Sequence, residues 1–327
     1  MNRDLYEELG LHRQFGEDQN VSFLLATVNN RSTSEIQFAT QVPGDERYKP
    51  CVEAFPGEHV PKGQVKWLRD WRDSHIFPET TRDIAIYIPP GLKAGQCVSL
   101  LVCFDGLQYI EEGGAVRATQ VLDSLIASGQ LPPTLGIFVN PGLPEPWRAA
   151  DLTTLEFDDA KREAADQRSL EYDSLDNATT RFVVDELMPM AADIADVTLE
   201  RDPARNIICG MSSGGIAAFT VAWRRPDIFG AVMSHCGSFV NLRGGHNYPY
   251  LVRTVERKPI RVYLQSGEAD ADITFGSWPI ANKDMAAALR FAGYEYKFEY
   301  GTGGHTLKHG GALFADALRW LSRNVDI

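Results

Sequence analysis

An α/β architecture, a mostly parallel central sheet flanked by helices, is the fold class this sequence predicts, and three observations carry it. From about residue 76 onward, short apolar runs alternate with longer segments of helical periodicity. Runs such as Ile207-Ile208-Cys209 are apolar at consecutive positions, as strands buried on both faces are. The chain has 327 residues, 44% hydrophobic and 23% charged, an ordinary globular composition long enough for one large α/β domain plus an extension.

The expected strands are Asp83 to Ile88, Val98 to Phe104, Leu135 to Val139, Asn206 to Cys209, Ala231 to His235, Ile260 to Gln265 and Tyr296 to Tyr300. The expected helices are Ala115 to Ala127, Ala178 to Met188, Gly215 to Arg224, Ile280 to Ala292 and Ala312 to Arg323. Residues 1–75 read as a short N-terminal β-containing extension or small cap, with Val21 to Val28 as its one strand, and residues 76–327 as the catalytic domain. Residues 141–176 read as irregular, opening on Pro141-Gly142-Leu143-Pro144 and continuing through dense charge. Long loops at the carboxyl ends of strands in such sheets usually shape a pocket.

Gly210-Met211-Ser212-Ser213-Gly214 is a GxSxG sequence between a buried strand and the start of a helix that stops near Pro226. A sharp strand-to-helix turn forces the serine into a strained backbone conformation and presents its hydroxyl at the sheet edge. Glycines on either side are needed because the two backbones pass close together. Ser212 is therefore the candidate nucleophile.

A serine hydroxyl is a poor nucleophile at neutral pH, so a histidine base and an orienting acid must follow in the order Ser, Asp/Glu, His. The loop after Ile260 to Gln265 carries Glu268, Asp270 and Asp272; Asp270 leads as the acid because it sits a few residues past the strand end. The glycine-rich stretch Gly301-Thr302-Gly303-Gly304 delivers His305 as the base, with His309 as its competitor. Two N–H donors must face the oxyanion of a tetrahedral intermediate. Ser213, the residue after the nucleophile, supplies one, and Leu107, in the loop after Val98 to Phe104, is first choice for the other.

The net charge of −12 argues against a nucleic-acid surface and against anionic membranes. A small-molecule substrate suits it better. The N-terminus carries acidic residues and no apolar core of a secretory signal, so cytoplasmic residence is the expectation. The five cysteines show no CxxC spacing, the histidines show no ligand spacing, and no P-loop or dinucleotide motif appears, so no metal and no cofactor is expected. A homo-oligomer is compatible with the sequence, and nothing in the residues specifies one.

These residues resemble the putative-esterase branch of the α/β-hydrolases, the group of enterochelin esterase, feruloyl esterases, esterase D and the mycolyltransferases. The resemblance runs from about residue 64 to the C-terminus. It rests on Phe104-Asp105-Gly106-Leu107, the GxSxG window, Cys236-Gly237-Ser238-Phe239, the Gly267 to Asp270 loop and Gly303-Gly304-His305. The resemblance implies the α/β-hydrolase fold and a serine carboxylic-ester hydrolase acting through an acyl-enzyme. An acyltransferase using the same acyl-enzyme and a feruloyl-type esterase are the alternatives, and a non-catalytic binding protein on the same scaffold is a third. The stretch Arg168-Ser169-Leu170-Glu171-Tyr172-Asp173 looks most like enterochelin-esterase-type members. By that likeness Arg168 and Glu171 are expected in the substrate pocket; Asp105, Trp147 and Trp278, in loops on the catalytic side, are further candidates. The trilactone esterases carry a longer N-terminal β-domain than the 75 residues here.

Overall fold

The computed structural model describes residues 45–147 and 159–323, and the expected strand Val21 to Val28 lies outside them. Its main sheet is built from β1 (Gln64–Trp71), β2 (Thr80–Ile88), β3 (Gln96–Phe104), β4 (Thr134–Val139), β5 (Asn206–Met211), β6 (Ala231–His235), β7 (Arg261–Ala269) and β8 (Glu295–Gly304). These run in the order β1-β2-β4-β3-β5-β6-β7-β8. The β1–β2 and β2–β4 pairs are antiparallel, and the ladder from β4 to β8 is parallel. Parallel neighbours require crossover connections, which place helices on both faces and align the carboxyl ends of β3, β5, β6, β7 and β8 along one edge.

The period-two geometry of a strand divides the core into two layers. Ile84, Ile86, Leu100, Val102 and Phe104 point to one face, packed with Ile216 and Phe219 of the helix that follows the serine. Ala85, Tyr87, Leu101 and Cys103 point to the other, against Val121, Leu122, Leu125, Phe314 and Leu318. Cys103 and Cys209 are buried free thiols among apolar neighbours, and Cys236 is a buried free thiol beside Gln265 and the Gly304 carbonyl.

Several expected elements differ from those observed. β1 was not expected, because its Gln64-Val65-Lys66-Trp67-Leu68-Arg69-Asp70-Trp71 sequence is mostly exposed at a sheet edge, where charge suppresses aberrant pairing. It extends the main sheet to residues before 76. Leu107 lies not in an open loop but in the short helix α1 (Gly106–Ile110). The helix expected from Ala115 starts later, as α2 (Ala118–Ala127), since Arg117 is left-handed at φ 56°. Within the stretch expected to be irregular runs a helix, α3 (Asp159–Asp173). Among its buried residues are the polar Ser169, Glu171 and Asp173, so no apolar stripe announces it. The helix expected over Ala312 to Arg323 is observed as Phe314–Leu321, and a short helix that was not expected, Leu307–Ala312, precedes it. No helix among the described residues is long and apolar enough to cross a membrane.

Candidate active site

The turn between β5 and α4 (Ser213–Arg224) holds Ser212 at φ 59°, ψ −122°, a conformation that L-residues rarely adopt. Its backbone is fixed from several sides. Ser212 N–H donates to the His235 carbonyl (2.8 Å), while its own carbonyl accepts from Gly215 (2.9 Å), Ile216 (3.2 Å) and Ser238 (3.1 Å). Only glycine fits at position 210, because a Cβ there would lie 2.1 Å from the Gly214 carbonyl oxygen. The elbow therefore rests on a backbone contact that no other residue permits.

The last two strands bring the partners in. Gly267 and Gly303 approach so closely that a Cβ on Gly267 would meet the Gly303 oxygen at 2.1 Å. The loops beyond them consequently lie side by side. His305 Nε2 is 2.9 Å from Ser212 Oγ, and His305 Nδ1 is 2.6 Å from Asp270 Oδ1. The Asp270 carboxylate also accepts from Ala271 N–H (2.8 Å) and from the Ser266 hydroxyl (2.5 Å), and it is buried. A carboxylate so held is fixed in orientation and keeps the proton of His305 on Nδ1, leaving Nε2 to accept from serine. Asp272 and Glu268 lie outward, both exposed. His309 is drawn elsewhere: it bonds Gln265 Nε2 (3.0 Å) and stacks on Tyr48 at 4.1 Å. Burial lowers the affinity of its ring for a proton.

On the opposite side of Ser212, Ser213 opens α4 and Leu107 sits in the first turn of α1, both N–H groups at helix N-termini. Leu107 N–H meets Asn140 Oδ1 at 3.3 Å, a long bond that an incoming oxygen can displace. Asp105 is left-handed at φ 50° and grips Arg168 with both oxygens (3.0 and 2.7 Å). A Cβ on Gly214 would come within 3.0 Å of Asp105 Oδ2, so this ion pair lies against the first turn of α4.

Two expected pocket residues are corrected. Glu171 is fully buried in a forked pair with Arg82 (2.7 and 3.1 Å), and its Oε1 also accepts from Gly142 N–H (3.0 Å) and Gln167 (2.9 Å). Its carboxylate is engaged by Arg82, Gly142 and Gln167 inside the fold. Trp278 is likewise fully buried; its ring stands edge-on to His305 at 5.6 Å and its indole N–H donates to Ser238 Oγ (3.2 Å). It supports the histidine from behind. Trp147 is half-buried, with its indole N–H donating to Glu163 (2.6 Å) at the side of α3.

Three groups escaped the sequence reading. Ser238 Oγ is 3.3 Å from Ser212 Oγ. Asn140 faces the Leu107 N–H. Asp45 accepts from Gly304 N–H and from the Thr306 hydroxyl, both at 2.9 Å, on either side of His305. Ser238 alone had a signal, its place in the Cys236-Gly237-Ser238-Phe239 stretch three residues past the end of β6, though no role was read for it. One group of potential metal ligands occurs among the described residues, Cys236, Asp270 and His305, with ligand atoms within 4.8 Å of one another. Two of the three, Asp270 and His305, are already joined to each other by the 2.6 Å bond.

Known proteins place this geometry in context. The enterobactin esterase of Shigella flexneri, crystallised in the presence of 2,3-dihydroxy-N-benzoyl-glycine, superposes with a TM-score of 0.59 at 19% identity, over 86% of this chain and 63% of that one. A ferulic acid esterase from the anaerobic fungus Anaeromyces mucronatus gives 0.59 at 15% identity, over 88% of this chain and 98% of its own. Both share the α/β-hydrolase fold. In sequence, the chain is 30% identical over 273 residues to the iron(III) enterobactin esterase of Dickeya dadantii (strain 3937), covering 79% of this chain and 55% of that protein. The chain thus spans about half the length of the curated relative it matches. A family model described as "Putative esterase" matches residues 74–321, from just before β2 to the last helix, a span that includes Leu107, Ser212, Ser213, Asp270 and His305. By that match the chain belongs to the putative esterase family.

Proposed function

We propose that this protein hydrolyses carboxylic esters through an acyl-enzyme formed on Ser212. The observation that carries the reading is the unbroken line from Asp270 Oδ1 through His305 to Ser212 Oγ, with separations of 2.6 and 2.9 Å. His305 takes the serine proton as Oγ attacks the ester carbonyl, and Asp270 stabilises the imidazolium that results. The N–H groups of Leu107 and Ser213 receive the oxyanion, with Leu107 exchanging Asn140 for the substrate oxygen. Protonated His305 then delivers its proton to the departing alcohol. Water attacks the acyl group in the second half of the cycle, with His305 again as base, and the carboxylic acid leaves.

The kinship with an iron(III) enterobactin esterase supports enterobactin-type esters as the first substrates to try. Asp105 and Arg168 flank the acyl side in this reading, the guanidinium keeping a partly exposed edge beyond its ion pair. A panel of acetyl, long-chain, cinnamoyl and catecholate-lactone esters tests it. Turnover concentrated on the aromatic members supports the assignment, and a preference for long aliphatic chains contradicts it. The chemistry itself is tested by a fluorophosphonate probe, which should label wild type at Ser212 and leave Ser212→Ala unlabelled.

A further inference from the structure

Beside the three residues of that site stands a second hydroxyl. Ser238 is fully buried, its Oγ lies 3.3 Å from Ser212 Oγ, and its backbone N–H donates to the Ser212 carbonyl (3.1 Å). The loop carrying it is locked from behind, since Asn282 Nδ2 donates to the Gly237 carbonyl (2.9 Å) and to the Trp278 carbonyl (3.0 Å). On its far side Ser238 Oγ meets the indole nitrogen of Trp278 at 3.2 Å.

Counting donors gives this contact a direction. An indole N–H only donates, so Ser238 Oγ accepts from Trp278. The His305 Nδ1 proton faces the Asp270 carboxylate, so Nε2 accepts, and the Ser212 proton is committed to it. The remaining proton is that of Ser238, and the acceptor within reach is a lone pair of Ser212 Oγ. The hydrogen bonds therefore run one way, from Trp278 to Ser238 to Ser212 to His305.

We propose that Ser238 is a catalytic hydroxyl that donates to Ser212 Oγ and stabilises the charge this oxygen carries when it leaves the acyl group, with Trp278 as the positioning residue that fixes the direction of the Ser238 proton. The inference rests on Ser212 being the nucleophile. In deacylation, water attacks the acyl carbon and gives a proton to His305. The bond between that carbon and Ser212 Oγ then breaks with its electron pair passing to Oγ, and His305 returns the proton to it. Ser238 keeps its own proton throughout. Its hydrogen bond, long in the resting enzyme, strengthens as negative charge grows on Oγ.

The experiment is pre-steady-state turnover of a p-nitrophenyl ester by wild type, Ser238→Ala, Ser238→Thr, Trp278→Phe and the Ser238→Ala/Trp278→Phe pair. Ser238→Ala should retain fluorophosphonate labelling and the initial burst while its deacylation rate falls about tenfold, the scale of one hydrogen bond, with KM nearly unchanged. Ser238→Thr, which keeps the hydroxyl, should recover most of the rate. Trp278→Phe keeps a ring against His305 and removes the donor; it should slow deacylation on its own and add nothing in the Ser238→Ala background. Deacylation in Ser238→Ala within about twofold of wild type, or fully additive losses in the pair, overturns the proposal. Wild type that shows neither burst nor labelling fails at an earlier point, the assignment of Ser212 itself, and takes this proposal with it.

Discussion

Asp173 is wholly buried at the end of α3, and burial pushes its carboxyl up to about 6 against the opposing pull of the Arg168 charge and of the Ser213 and Ser169 hydroxyls. The folded state therefore holds a proton there that the unfolded chain, titrating near the ordinary aspartate value of 3.8, has released. Stability consequently falls as pH rises from about 4 through 6, and above that range the ionised group costs on the order of 3 kcal/mol. Asp173→Asn should raise Tm at pH 7.5 by several degrees and change it little at pH 4; calorimetry at the two pH values checks this. A lower Tm for the variant at pH 7.5 would refute it. At this scale the sequence reveals residues whose chemistry depends on order along the chain. Ser212, Asp270 and His305 follow the ends of β5, β7 and β8 in chain order, and the structure brings those three side chains together. It conceals residues whose meaning depends on burial. Glu171 is expected in the pocket through its likeness to enterochelin-esterase-type members and Trp278 through its place in a loop on the catalytic side, yet both are enclosed.

Among the elements, α3 is the one whose attachment was least legible and is most easily tested. Two ion pairs fasten it to the sheet: Arg168 to Asp105 after β3, and Glu171 to Arg82 within β2. The second is completely buried, with Arg82 also lying over the Phe182 ring at 4.3 Å. Removing one partner of such a pair strands the other charge in the interior. Glu171→Ala should destabilise the fold by about 3–5 kcal/mol, read as a lower urea midpoint. Arg82→Met paired with Glu171→Met should lose much less than that single change, because no unpaired charge remains. A single variant as stable as wild type would show that the pair anchors nothing. Parallel strands such as β5 and β6 are legible because their consecutive apolar residues reflect burial on both faces. β1 and α3 are not, since one is a solvated edge and the other hides polar groups.

Over the whole molecule, the described N-terminal segment reaches the far end of the chain. Asp45 is fully buried and bonds the backbone of Gly304 and the hydroxyl of Thr306, while the Tyr48 hydroxyl accepts from Thr302 N–H (3.1 Å). The loop holding His305 is thereby clamped by residues more than 250 positions earlier in the sequence, a contact no local pattern announces. Asp45→Asn keeps the size and one acceptor, whereas Asp45→Ala frees the loop. The alanine variant should lose about tenfold or more in kcat with KM little changed, and the asparagine variant should lose less. Equal kcat in all three proteins would remove the clamp from the account. The central claim, that Ser212 is the nucleophile of an esterase, is tested most directly by the kcat of Ser212→Ala on a p-nitrophenyl ester. A fall of roughly four to six orders of magnitude in a protein with unchanged Tm is the predicted result, and turnover equal to wild type would contradict it.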